Sequence, residues 1–200
     1  MKRRTLDLSM SVGGTLLAGL AVALGFLFQA NADFATTYVR DQLSEQQISF
    51  PPLEALSEKE VGVACLVEFA GTTLDSGKKS ECYANEYIGS HLKGIGGGET
   101  YATLGTPQRE LQAKVADAKK ANDPNLATLE ADLAKVTSQR ETMFKGETLR
   151  GLLLTTYGFS VLGEKAELAA LVAFFAGAIL ILASIAGFAH ALSTPRNQKI

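Results

Sequence analysis

The sequence predicts a mainly α-helical membrane protein. One membrane-spanning helix stands at each end, with a small extracytoplasmic domain containing an antiparallel helical hairpin between them. Three observations predict it. Leu8–Ala32 and Leu168–Ala189 carry no charged residue. The only two cysteines, Cys65 and Cys82, lie between those runs. Apolar residues recur at helical spacing on both sides of Asn122-Asp123-Pro124-Asn125.

A bilayer core of about 30 Å needs about 20 apolar residues in a helix. Both runs satisfy that length, so the spans are placed at 8–32 and 168–192. The first could instead be a cleaved signal peptide, with Lys2, Arg3 and Arg4 ahead of it and Ala30-Asn31-Ala32 as a cleavage site. A secretory apolar region covers about 7–15 residues, and Met10–Phe28 exceeds that, so a retained anchor is expected. Gly13, Gly14, Ala18, Gly19, Ala21, Ala23 and Gly25 on the first run would permit close helix approach, as would Ala173, Gly177, Ala183, Ala186 and Gly187 on the second. That approach could join the two helices or recruit a partner's helix.

Lys2, Arg3 and Arg4 precede the first span, and Arg196 and Lys199 follow the second. Basic tails stay in the cytoplasm. The expected topology is therefore two-pass in a bacterial plasma membrane, with tails 1–7 and 193–200 inside and 33–167 outside. Residues 33–167 hold 14 basic and 20 acidic side chains, in keeping with an external face. The whole chain of 200 residues has a formal charge of −2 and a mean hydropathy of +0.11. That balance excludes a basic nucleic-acid binder and a disordered chain.

Outside the cytoplasm thiols tend to oxidise, so Cys65 and Cys82 are expected to pair. No CxxC or Cys/His cluster accompanies them, which argues against a metal pair. Val61–Ala70 reads as a short strand or a buried helix turn; periodicity does not choose. Gly71–Lys79 reads as a loop, Glu81–Lys93 as a helix, and Gly94–Gly98 as its end.

Thr106 is an N-cap candidate with Pro107 in the first helical position. Leu104, Leu111, Val115 and Ala118 form one stripe; Leu126, Leu129, Leu133 and Val136 form the other. They predict a hairpin of 107–121 against 126–140. No proline follows until Pro195, so the second arm should run on into the span, with Gly158 or Gly163 as kink positions. Residues 141–166 read as an amphipathic collar at the outer interface or as a partner surface. Its candidate contact residues are Leu149, Leu152, Leu153, Tyr157, Phe159 and Leu162.

The pattern Tyr83-Ala84, Ile88, His91-Leu92, Gly96–Ala102 and Leu104, followed by Arg140, Met143, Thr148–Leu154 and an apolar C-terminal helix, resembles a family of small actinobacterial membrane proteins. Ile48-Ser49-Phe50 matches an extended segment that usually follows their first helix. The resemblance implies one membrane helix at each end. Members are often labelled aromatic ring-opening dioxygenase subunits, and the family carries no secure function to transfer.

The chemistry can be tested against the residues. A non-haem iron oxygenase needs a set such as two histidines and a carboxylate. The two histidines, His91 and His190, fall on opposite sides of the expected membrane. His190 suits an interfacial anchor better than a haem ligand. Gly94–Gly98 lacks the Gly-Lys-Ser/Thr of a phosphate loop, and no serine sits in a nucleophile elbow. His91 with Tyr87 and Glu86 suggests an acid–base set but lacks convergent partners.

The expectation is a non-enzymatic accessory, assembly or scaffold subunit without cofactor or metal. It would dock onto a larger membrane or envelope complex, a respiratory complex being one host. Its expected partners are other integral membrane or envelope proteins, the lipid bilayer and, as an option, a second copy of itself; nucleic acid is not among them. The alternative is an external ligand-binding or sensing module. An enzyme subunit ranks third.

Overall fold

The computed structural model describes residues 2–195. Arg196 and Lys199, on which the cytoplasmic placement of the second tail rests, lie outside the described residues. The order is α1 (Arg3–Glu45), a 3-10 turn (Leu53–Ala55), α2 (Glu58–Val61), α3 (Ala64–Glu68), α4 (Gly77–Cys82), a π-helical stretch (Tyr83–Ile88), α5 (Gly89–Gly96), α6 (Gly105–Ala121) and α7 (Leu126–Ser193). No β-strand forms among the described residues. Two compact units result: the chain through Tyr38 with the chain from Phe159 onward, and Val39–Gly158.

The first unit is a pair of long helices. α1 and α7 are both long and apolar enough to cross a membrane. Their contacts run antiparallel. A Cβ built on Gly14 would stand 2.5 Å from Ser184 Oγ, one on Gly25 would stand 2.6 Å from the Phe174 ring, and one on Gly177 would stand 2.9 Å from Val22 Cγ2. Ala18, Ala170 and Ala191 are buried in the seam. Small side chains let two backbones approach and collect van der Waals contact, which drives helix pairing where both surroundings are apolar. Gly14, Ala18, Ala21, Gly25, Gly177 and Gly187 therefore serve the intramolecular contact, while Gly13 and Gly19 face open space. Asp7 Oδ2 lies 2.9 Å from His190 Nδ1 at one end of the pair. The large apolar side chains, among them Leu16, Leu20, Phe175, Ile179 and Leu182, are exposed, while Phe26 meets Phe174 edge-on at 5.1 Å across the pair.

The first helix does not end with its apolar run. It passes Asp33, whose Oδ1 accepts from Gln29 Nε2 at 2.9 Å, and continues to Glu45. No proline interrupts it, and Val39 and Leu43, four residues apart, find a core to enter in the second unit. Gln47, at φ 52°, then turns the chain out of the helix. Likewise α7 runs unbroken through both glycines read as kink positions. Gly163 serves close approach instead: a Cβ there would lie 3.0 Å from Ala35 Cβ.

In the second unit, Val61–Ala70 is neither strand nor single helix but α2, a break at Gly62-Val63, and α3. An isolated antiparallel bridge joins Ser49 to Thr73. Helix begins at Gly77, earlier than the expected loop allows, because the Ser76 hydroxyl accepts the Lys79 N–H. The helix from Gly77 ends as the glycines require: Gly97 at φ 59° and Gly98 at φ 92° take a backbone disfavoured for other residues.

α6 starts at Gly105, so Thr106 and Pro107 lie inside its first turn rather than at cap and first position. Thr100 and Thr103 cap the preceding turn reciprocally, each hydroxyl accepting the other's backbone N–H at 3.2 and 2.8 Å. α6 and α7 pair antiparallel through Gln108 Nε2 to Thr137 Oγ1 at 3.0 Å and Lys119 Nζ to Glu130 Oε1 at 2.8 Å. Asn122, at φ 50°, and the Asp123 side chain, which accepts from Asn125 N, make the turn.

Candidate functional site

The second unit holds a larger core and a smaller one of Leu92, Leu104 and Met143. Phe50, Leu66, Leu74, Cys82 and Ala84 pack with Val39 and Leu43 of α1 and Leu153 of α7. Cys65 and Cys82 are bonded, with Cα atoms 6.1 Å apart. Phe50 stands edge-on to Tyr83 at 5.1 Å, and Tyr83 meets Tyr87 at 4.8 Å. Burial pushes the Tyr83 phenol above its ordinary pKa, and Tyr87 adds to the shift.

On the far side of Tyr87 lies a carboxylate–imidazole pair. Glu60 is buried, and its Oε2 accepts from both the Ser57 N–H at 2.8 Å and the Ser57 hydroxyl at 2.6 Å. Those two bonds hold the Glu60 carboxyl below the usual range; burial opposes them and His91 assists. Its other oxygen, Oε1, is buried without a hydrogen-bond partner and faces His91 Nε2 at 3.8 Å. His91 Nδ1 sits 2.8 Å from the Tyr87 carbonyl.

Two arginines of α7 line clefts in the same unit. Arg150 spans from Glu147 Oε2 at 3.2 Å to Asn85 Oδ1 at 3.1 Å, and lies along Gly89. Asn85 is in the π-helical stretch, whose wider turn presents it to α7. With Lys93, Glu99 and Thr100 they border a cleft of about 290 Å³. Arg140 donates to Gln108 Oε1 at 2.7 Å and to the Tyr101 carbonyl at 3.2 Å, and stacks 4.3 Å over the Tyr101 ring. Its cleft, about 240 Å³, is walled by Tyr101, Thr137 and Phe144. In both clefts the arginine already has protein partners.

The sequence-predicted contact residues divide. In the second unit Leu149 and Leu152 are exposed. Leu153 is not: it is 4% exposed and belongs to the core, so it is withdrawn from any partner surface. Tyr157 is half-buried and engaged within the protein. In the first unit Phe159 and Leu162 are exposed. Of the suggested acid–base set, Tyr87 contributes a ring and a carbonyl, and the carboxylate beside His91 is Glu60, not Glu86. Thirty-one residues separate Glu60 from His91, beyond any local pattern; the only signal was Ser57-Glu58-Lys59-Glu60, a capping-box spacing.

His91 and His190 belong to separate units, each beside its own carboxylate. Among the described residues no group of three or more metal-ligating side chains converges. No family model, no curated protein and no solved structure matches this chain.

Proposed function

We propose that this chain is a membrane-anchored, non-enzymatic accessory or scaffold subunit that holds a small disulfide-stapled domain against a larger membrane or envelope complex. The observation that carries the reading is the outward apolar surface of the α1–α7 pair. Those side chains would cost about 25 cal/mol for each Å² kept in water, and nothing in hydrocarbon. In this reading α1 and α7 cross the plasma membrane of a bacterium, both tails face the cytoplasm, and Val39–Gly158 lies outside, where Cys65 and Cys82 stay oxidised. Leu149 and Leu152, exposed on α7 of that domain, are the surface offered to a partner. The resemblance to small actinobacterial two-helix proteins is consistent with this architecture and supplies no reaction.

Purification in mild detergent followed by mass spectrometry tests it. Stoichiometric membrane partners, lost with Leu149→Ser and Leu152→Ser, are expected. A chain that purifies without stoichiometric partners overturns the reading. The Arg150 cleft favours a second reading, an external ligand-binding module, and a copurified anionic small molecule would select it.

A further inference from the structure

We propose that Glu60 and His91 form a proton-operated latch, which ties the Ser57–Val61 turn to the Gly77–Gly96 helix when the imidazole is charged and loosens when it is neutral. The Glu60 side chain is 11% exposed, and its Oε1 has no donor. The group nearest in kind is His91 Nε2, 3.8 Å away. The imidazole cannot supply a hydrogen there while neutral. Its Nδ1 faces the Tyr87 carbonyl, which only accepts, so Nδ1 carries the single proton. Nε2 then presents a lone pair to a carboxylate oxygen. Two acceptors then face each other across 3.8 Å.

A proton on Nε2 resolves the conflict. It turns the 3.8 Å contact into an ion pair, whose attraction draws the half-exposed imidazole in to give Oε1 its missing donor in a charge-assisted hydrogen bond. His91 is half exposed, so the proton reaches it directly from solvent. Imidazole titrates in the physiological range, while Glu60 remains charged throughout it.

The surrounding charges leave the pair to itself. On α3, packed beside α2, the one ionisable side chain outside the disulfide is Glu68, which faces Lys78 at 3.7 Å. On the Gly77–Gly96 helix Lys79 faces Asp75 at 2.9 Å, and Tyr83 and Tyr87 stack toward His91. Among the described residues Glu81, Glu86 and Lys93 on that helix, and Glu58 and Lys59 on α2, form no ion pair. α2 is four residues long, so its own backbone bonds hold it weakly and the Glu60 contact decides how often it opens.

Hydrogen exchange of the full chain in detergent, read by mass spectrometry on peptides covering 57–63, tests the latch at pH 5.5 and 7.5. After correction for intrinsic rates, protection should be about three- to tenfold higher at pH 5.5, as a partly exposed charge-assisted bond gives. Glu60→Gln removes the charge and offers an N–H to the neutral imidazole, so the pH difference should fall below about twofold. His91→Gln should do the same. Near-UV dichroism of the tyrosines confirms that each variant is folded. No rise in the wild type, or a rise that persists in either folded variant, overturns the latch.

Discussion

The Ser11 hydroxyl occupies the space beside Gly187 that any Cβ there would need, and Ser184 does the same beside Gly14. Each helix carries the same spacing, Ser11-Val12-Gly13-Gly14 and Ser184-Ile185-Ala186-Gly187. Run antiparallel, each serine meets the other's glycine. Ser11 and Ser184 are accordingly 4% and 5% exposed in a unit whose large side chains face outward.

This seam predicts position-specific intolerance. Gly177→Leu drives a branched side chain into Val22 Cγ2 and toward the Ala18 carbonyl, neither of which can swing clear. Overpacking of that kind costs about 1–3 kcal/mol. Gly13→Leu, on α1 and facing open space, should stay within about 0.5 kcal/mol. Unfolding in mixed micelles of increasing SDS content distinguishes the two, and equal losses would place the seam elsewhere.

Leu152 and Leu153 are neighbours with opposite duties, 62% and 4% exposed. Leu153→Ala opens a cavity in the core and should cost about 2–5 kcal/mol of domain stability. Leu152→Ala should leave stability within about 0.5 kcal/mol and act only on partner binding. Thermal melting followed by near-UV dichroism reads the first, and copurification reads the second.

How far these duties were legible follows from the same residues. Leu152-Leu153-Leu154 is a continuous apolar run, so helical periodicity says that one face is buried but not which; Phe50 and Leu66, about a hundred residues earlier, decide it. Hydropathy placed the end of the first span near Asp33, but hydropathy marks where lipid must end and not where backbone hydrogen bonding must. Val39 and Leu43 kept the helix pattern alive beyond that point. The Thr106-Pro107 start was displaced because Thr100 and Thr103 close the preceding turn on each other. The hairpin turn and the cysteine pair were readable because Asn122-Asp123-Pro124 is local chemistry and two cysteines have one pairing. Glu60 with His91 was not, since no local rule joins two elements across the core.

The capping bonds of Glu60 predict a loss of stability in acid. Its carboxyl is held below its unfolded value chiefly by the Ser57 hydroxyl and N–H. A depressed carboxylate adds stability that is complete above the unfolded pKa, about 4.3, and is lost as pH falls through the folded value. The Ser57–Val61 turn should therefore open first below about pH 4. Glu60→Ala removes the reciprocal cap and should cost about 1 kcal/mol at pH 6 while flattening that acid response. Chemical denaturation at pH 3.5 and 6 checks both signs.

Cys65→Ser with Cys82→Ser should weaken the domain through its unfolded state more than through its folded contacts. The bridge joins positions 17 apart in sequence, linking α3 to the end of α4. Closing a loop of that size contributes about 3 kcal/mol on the chain-entropy account. Cys82 is also buried in the core, and serine would place a hydroxyl there among Phe50, Leu66 and Leu74. Cys65→Ala with Cys82→Ala therefore isolates the cross-link better, because it adds no polar group to bury. Denaturant unfolding followed by tyrosine fluorescence suits a chain with five tyrosines and no tryptophan. The alanine pair should lower stability by about 3 kcal/mol, and the serine pair by about 1–3 kcal/mol more. If the loss came from damaged packing alone, dithiothreitol would leave the wild type near its oxidised stability, since reduction keeps both sulfur atoms in the core. The reduced wild type should instead fall close to the alanine pair.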